Sequence, residues 1–277
     1  MSPRLLVRRP SPRLADGELT HLHRTPVDPD LARRQWEGYV AAFADRGWVV
    51  TEVEPADEHP DGVFVEDTVV VFPDPDGGGL AVLTRPGAAS RRGEVASVAR
   101  AVEALAGDPD GPDLRVARLE APATLDGGDV LQVGRTVYVG RSARTNAAGT
   151  AQLAALVGPR GLTVVPVPVT AVLHLKSAVT ALPDGTVLGH DADAPLPPGL
   201  VVPEEHGTAV VDLGGGAVVM SADAPRTTAL LRARGLDVVP VPITEFEKLE
   251  GCVTCLSVRL RRGDVRSAAP ARAPATP

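Results

Sequence analysis

The stretch EGCVTCLSVRL, residues 250–260, holds both cysteines of the chain, Cys252 and Cys255, three positions apart. Such a pair can be a redox couple, half of a metal site, two core thiols, or one nucleophile beside a bystander. A redox Cys-x-x-Cys belongs at the start of a helix, where the dipole lowers a thiol pKa. Here the neighbours are Val253, Thr254, Leu256 and Val258, and β-branched runs favour strand. In a strand, positions three apart face opposite sides. The sequence therefore predicts sulfurs that point apart, with neither chelate nor disulfide within easy reach. A structural zinc site would also want a second ligand pair at similar spacing, and the sequence offers none. Two readings survive: a pair of buried thiols, or one nucleophile.

A catalytic cysteine needs a base to become thiolate, and that base is usually histidine. Of six histidines, His21, His23, His59, His190 and His206 lie in polar or Pro/Gly-rich stretches and read as surface residues. His174, in AVLHLKSAV, follows an apolar run at the head of a predicted strand. Taken singly, such a histidine is an ordinary core residue. Beside a strand-opening cysteine and strand-opening acids, it is the candidate base. The acids are Glu66 and Asp67 in FVEDTVVVF, and Asp126 and Asp129 in TLDGGDVLQVG. Two adjacent acids between valines make a poor exposed edge. The DG and GG dipeptides are turn signals, compatible with a tight turn that presents Asp126.

The elements that must gather these groups show themselves as an internal echo. RGLTVVPVPVT at 160–170 returns as RGLDVVPVPIT at 234–244, with relatives RGWVVTEVEPA at 46–56 and PDLRVARLEAP at 112–122. Three of these follow helix-like stretches that end in Gly, the usual helix stop. The valine-rich run after the stop reads as a buried strand. A second segment type opens polar and turns apolar. Its examples are FVEDTVVVF, TLDGGDVLQVG, LHLKSAVTAL, VVDLGGGAVVM and CVTCLSVRL. Self-similarity of this kind decides architecture. It predicts five helix-and-strand modules around a centre where the openings converge, with a plain two-layer α/β sheet as the alternative. The glycines of VDLGGG read as turn chemistry.

Composition sets the outer limits. The chain has 277 residues, is 44% hydrophobic and only 3% aromatic, so its core must be built from Val, Leu and Ala. The formal charge of −7 argues against nonspecific binding to nucleic acid or anionic membrane, and mildly suits a small cationic ligand. No apolar run is long enough to span a membrane, and MSPRLLVRRP lacks the apolar segment of a signal peptide. Two cysteines form no disulfide framework, and the expected location is the cytoplasm. Residues 1–262 read as a single catalytic domain. The Ala/Pro/Arg-rich stretch 263–277 reads as a disordered tail.

Six motifs in order, DGVFVEDTVVV, LTRPGAASRR, TLDGGDVL, VGRSARTN, LHLKSAV and EKLEGCVTCLSV, closely resemble dimethylarginine dimethylaminohydrolases, members of the pentein superfamily of guanidine-modifying enzymes. The resemblance runs from about residue 5 to residue 260. It implies an α/β fold, a five-module α/β propeller with pseudo-fivefold arrangement around the active site. It also implies hydrolysis of N-methylated arginines to citrulline and a methylamine through a covalent Cys-thiouronium, with no metal or organic cofactor. By motif, Cys255 is similar to the nucleophile, His174 to the proton-transfer residue and Asp126 to the carboxylate completing the group. Some family members carry Glu at the position of Asp126. Asp61, Glu66 and Asp67 resemble substrate-contacting acids, and Arg91 and Arg144 resemble residues holding the α-carboxylate. Leu19 and Leu249 align with backbone or lid contacts, and Cys252 reads as packing. The implied partner is a small cationic ligand, with no nucleic acid or membrane, on a monomer or homodimer. Arginine deiminase and amidinotransferase activities share the nucleophile and remain alternatives. From other classes come a non-catalytic arginine-binding sensor, which would need neither Cys255 nor His174, and a generic Cys-His hydrolase.

Overall fold

The computed structural model describes residues 2–74, 78–108, 111–191 and 194–261. The tail expected at 263–277 lies outside the described residues.

Five three-stranded sheets make up the frame. One is β3 (Val69–Pro73), β4 (Gly78–Leu83) and β5 (Asp113–Arg118). The next is β6 (Val130–Val133), β7 (Thr136–Arg141) and β8 (Thr163–Pro168). Then come β9 (Val179–Ala181), β10 (Val187–Gly189) and β11 (Leu200–Val201). The fourth is β12 (Val210–Gly214), β13 (Ala217–Ser221) and β14 (Asp237–Val241). In the fifth, β15 (Val258–Leu260) joins β1 (Arg4–Val7) and β2 (Val49–Glu52), so the two ends of the described chain close the ring in one sheet.

Each sheet repeats one pattern. The first strand pairs antiparallel with the middle strand, and the third pairs parallel with it. A parallel neighbour requires a crossover, and four crossovers are helices: α1 (Pro29–Ala44), α2 (Val95–Gly107), α3 (Ala147–Val157) and α5 (Pro225–Ala233). Short helices α4 (Leu175–Ala178) and α6 (Thr244–Glu247) lie outside this scheme. Local chemistry fixes the ends. Asp28 caps α1 by accepting from the backbone N–H groups of Asp30 and Leu31, with Pro29 at the first position. Asn146 caps α3 by accepting from Gly149 N–H. Beyond α1, α3 and α5, Gly47, Gly161 and Gly235 take φ of 80°, 71° and 88°, the left-handed stop the sequence announced.

The echoing strands are not buried runs as expected. β2, β5, β8 and β14 are the third strands of their sheets, each paired on one side, with half-buried and exposed positions. This explains Pro166 and Pro240 within them, since an outer strand tolerates a missing N–H donor. The core is divided among five apolar clusters. Six of the eight aromatic residues (Trp36, Tyr39, Phe43, Trp48, Phe64 and Phe246) gather in one of them. The others rely on Val, Leu and Ala. Among the described residues, no helix is long and apolar enough to cross a membrane.

Candidate active site

A short helical turn precedes the first strand of most sheets: Val65–Thr68 before β3, Gly127–Asp129 before β6, α4 before β9 and Glu205–Thr208 shortly before β12. The fourth opening is therefore 205–208, and Gly214–Gly216, at φ of 91°, 63° and 85°, form the hairpin turn at the other end of that sheet. Before β15 the backbone turns through 253–256. These turns face one another at the centre. Gly128 N–H donates to Asp67 Oδ1 at 2.8 Å, Leu175 N–H to Asp129 Oδ1 at 3.0 Å, and Glu66 N–H to the Cys255 carbonyl at 3.3 Å.

Glycine at 127 and 128 makes this approach possible. A Cβ on Gly127 would lie 1.9 Å from the Glu66 carbonyl oxygen. One on Gly128 would lie 2.5 Å from His174 Nδ1 and 2.9 Å from Asp67 Oδ1. The DGGD stretch is thus a floor without side chains, not a hairpin.

His174 lies between two carboxylates. Its Nε2 is 3.1 Å from Asp126 Oδ2, and its Nδ1 is 3.9 Å from Asp67 Oδ1. Burial opposes the imidazolium, but the charge of Asp67, the hydrogen bond with Asp126 and the charge of Asp129 outweigh it, raising the pKa to about 9. Burial likewise opposes the Asp67 carboxylate, yet His174, Arg91 and the Gly128 N–H hold it down at about 2. Asp126 is fully buried and does not line the cavity; its Oδ1 accepts from Gly87 N–H at 2.8 Å, so it reaches the cavity only through His174. Asp67, Asp126 and His174 offer ligand atoms within 4.8 Å of one another, a convergence that suits a cation.

Cys255 lines the same cavity as His174, Asp67, Asp61, Arg91, Arg144 and Leu249. The residues between the cysteines turn instead of extending, which overturns the expectation of a strand from 252 with sulfurs pointing apart. Cys255 N–H donates to the Cys252 carbonyl at 3.1 Å, and the two Sγ atoms stand 3.5 Å apart. Thr254 is drawn inward to donate to Glu66 Oε2 at 2.8 Å, a tertiary contact that outweighs β propensity. The hydrogen bond from Cys255 lowers the Cys252 thiol to about 7 against burial. The same pairing with Cys252, then burial, then Glu66 and Asp67, pushes the Cys255 thiol well above its ordinary range.

Not every expected contact residue reaches this cavity. The Glu66 carboxylate lines a second cavity behind it and pairs with Lys176 Nζ at 2.6 Å and Arg259 Nη2 at 3.3 Å. A carboxylate buried beside two cations is held there by charge. Leu19 is half-buried against the aromatic cluster and does not line the cavity, whereas its neighbour Glu18 does. Arg91 donates from Nε and Nη2 to Glu94, from Nη1 to Asp67 Oδ2 at 2.7 Å, and from Nη2 to the carbonyls of Asp61 and Phe64. Held by these bonds, Arg91 forms part of the cavity wall. Arg144 is held more lightly, by Glu18 at 3.2 Å and Thr20 at 3.3 Å. Burial raises the Asp61 pKa, opposed by Arg91 and by the Glu18 N–H that its Oδ2 accepts.

The sequence reading gives Glu250 no role and names Asp129 only as one of the opening acids. Glu250, at φ 60°, lines the cavity and accepts from the N–H groups of Thr20, His21 and Leu22, fastening the 17–22 segment over the mouth. Asp129, fully buried, accepts from Ser142 Oγ and Thr145 Oγ1, both at 2.6 Å, and from Leu175 N–H, tying the loop of Arg144 to the turn of His174. Glu250 looks like an ordinary surface acid in sequence. Asp129 is legible in sequence as the last residue of DGGD, where an acid opening a buried strand needs donors; the partners that satisfy it are not.

No protein-family model matches the chain. It is 56% identical over 264 residues to an N(G),N(G)-dimethylarginine dimethylaminohydrolase of Streptomyces coelicolor, covering 94% of this chain and 98% of that protein. Among solved structures, a dimethylarginine dimethylaminohydrolase from Pseudomonas aeruginosa, a cysteine-to-serine mutant complexed with citrulline, superposes with a TM-score of 0.82 at 33% identity, covering 94% of this chain and 99% of that one. A histidine-to-glycine form of a dimethylarginine dimethylaminohydrolase, as an adduct with S-methyl-L-thiocitrulline, also gives a TM-score of 0.82, at 32% identity and covering 94% of this chain and 100% of that one.

Proposed function

The chain belongs to the dimethylarginine dimethylaminohydrolase family, and from that footing we propose that Cys255, His174 and Asp126 carry its reaction. The enzyme hydrolyses N-methylated arginines to citrulline and a methylamine by way of a covalent cysteine intermediate. The assignment of residues rests above all on one observation: the buried Cys255 sulfur and the His174 imidazolium share a cavity with the ionised Asp67, and Asp126 holds the far side of the His174 ring at 3.1 Å.

A guanidinium is planar, cationic and resonance-stabilised. Attack on its central carbon needs a soft, strong nucleophile, and thiolate fits. Cys252, burial and the nearby acids hold Cys255 as thiol. The arriving cation adds the opposite field, so substrate and thiolate stabilise each other in a dry site. Asp67, already ionised, accepts from the guanidinium nitrogens and sets the plane toward the sulfur. Asp61 serves the same end from the other wall.

His174 as imidazolium donates its proton to the departing methylamine. The neutral imidazole then takes a proton from water, which attacks the thiouronium and releases citrulline. Each such proton transfer typically contributes about 10²–10⁴-fold. Asp126 works through His174, fixing ring orientation and favouring the charged form. The substrate α-carboxylate displaces Glu18 from Arg144 and lies against Arg91. Leu249 covers the aliphatic stem. Leu19 belongs to the segment above the mouth. Glu66 acts at a distance, through the field that keeps Cys255 protonated. Free thiols at this position suit a cytoplasmic setting.

Incubation with dimethylarginine, monomethylarginine and arginine, with citrulline measured, tests the substrate preference. Equal or faster turnover of arginine would overturn it. Cys255→Ser should abolish citrulline formation, and unchanged turnover would overturn the nucleophile assignment.

A further inference from the structure

Catalysis as described uses one sulfur, yet the fold presents two. Cys252 and Cys255 have Sγ atoms 3.5 Å apart. They occupy the ends of a turn closed by the hydrogen bond from Cys255 N–H to the Cys252 carbonyl, at 3.1 Å. A turn of this kind holds its terminal Cα atoms within about 7 Å, and a disulfide spans Cα separations of about 4.4–6.8 Å. Bond formation needs the sulfurs to close to about 2.05 Å, a movement within reach of side-chain rotation. Their exposure also differs: Cys255 is buried in the cavity wall, whereas Cys252 is half-buried.

We propose that Cys252 and Cys255 form an oxidative modification site, in which peroxide converts the pair to a reversible intramolecular disulfide that blocks the nucleophile and shelters it from further oxidation. The inhibitory part rests on the reading of Cys255 as nucleophile. The disulfide itself does not.

The chemistry balances with peroxide as oxidant. A thiolate sulfur attacks one peroxide oxygen, the O–O bond breaks, and the second oxygen leaves as hydroxide and is protonated to water. The sulfur is now a sulfenic acid. The facing sulfur attacks it, an S–S bond forms, the S–O bond breaks, and hydroxide departs as a second water with the remaining thiol proton. Two thiols and one peroxide become one disulfide and two waters. The lowered pKa of Cys252, about 7, places a thiolate in the pair near neutral pH. A disulfide across so short a ring belongs to the strained, readily reduced kind that dithiols reopen. Without a partner sulfur, the sulfenic acid would proceed to sulfinic acid, which dithiols do not reverse.

The test uses the full chain, reduced, then treated with hydrogen peroxide and desalted. Trypsin cleavage after Lys248 and Arg259 isolates both cysteines in the peptide 249–259. That peptide should lose about 2 Da on disulfide formation, while citrulline formation falls at least about tenfold and dithiothreitol restores both. In Cys252→Ser, compared with its own untreated rate, the loss should persist after dithiothreitol and the peptide should gain oxygen instead. Inactivation of the wild-type chain without the 2 Da loss, resistance to peroxide, or full recovery of Cys252→Ser would overturn the proposal. If Cys255→Ser kept citrulline formation while the unsubstituted peptide still lost 2 Da, the nucleophile reading would fail and the disulfide would stand.

Discussion

His174 Nε2 and Asp126 Oδ2 lie 3.1 Å apart, and neither carboxylate oxygen of Asp126 is exposed. Against burial, the charge of Asp67 and then this hydrogen bond with Asp126 make imidazolium the resting form of His174, with its pKa raised to about 9. In Asp126→Asn, kcat should fall by about 10²–10⁴-fold with KM changed far less, because Asp126 touches no substrate. The alkaline limb of the kcat profile should also move to lower pH, since a cause of the raised imidazole pKa is gone. A KM effect equal to the kcat effect, with no shift of the limb, would contradict this.

The same pKa has a consequence for stability. His174 titrates near 9 in the fold against an ordinary value of 6.5, so the proton is bound more tightly in the folded state. Its stabilisation is fully present below pH 6.5 and is lost as pH rises through 9. Urea midpoints measured from pH 6 to 10 should decline across that window in the wild-type chain and be flatter in His174→Asn.

Gly128→Ala places a methyl group 2.5 Å from His174 Nδ1 and 2.9 Å from Asp67 Oδ1. Both partners are buried and fixed, so the ring or the carboxylate must give way. Overpacking of this order destabilises by about 1–3 kcal/mol. Citrulline formation should nearly vanish while circular dichroism stays native. An active, fully stable Gly128→Ala would show that the floor is not as tight as described.

Glu250 fastens the segment over the mouth through three backbone N–H groups. Hydrogen bonds to a charged acceptor contribute about 1.5–3 kcal/mol each when buried, and less where exposed, as here. Glu250→Gly keeps the left-handed backbone of φ 60° and removes the carboxylate. KM should rise by about tenfold or more, equivalent to about 1.4 kcal/mol, with melting temperature nearly unchanged. Unchanged KM would mean the segment closes without this latch.

Asp129 ties the Arg144 loop to the His174 turn through three accepted hydrogen bonds. Asp129→Ala leaves two buried donors unsatisfied, Thr145 Oγ1 and Leu175 N–H, at about 1–3 kcal/mol each, besides the half-buried Ser142 hydroxyl. Melting temperature, kcat and KM should all worsen together. A variant with normal KM would show that Arg144 is positioned independently.

Much of the fold was legible in sequence, because its signals are local. Glycines that stop helices, the recurring VVPVP runs and the polar-to-apolar openings each follow from short-range backbone rules. Together they disclose five modules. The outer, half-exposed placement of the VVPVP strands was not legible, since burial depends on what packs from the other module. His174, Cys255 and Asp67 could be singled out by residue type and place, and the structure brings them to one cavity.

Tertiary structure alone decided the finer assignments. Glu66 turned away from the cavity because Lys176 and Arg259, remote in sequence, draw its charge. Cys252 came to face Cys255 because Thr254 is pulled in toward Glu66, bending a segment whose own residues prefer to extend. Glu250 became a latch because a loop some 230 positions earlier folds onto it. The sequence by itself determined the modules and the chemical types at their openings. Which opening groups meet, and at what pKa, was left to charge pairing and desolvation among residues that only folding makes neighbours.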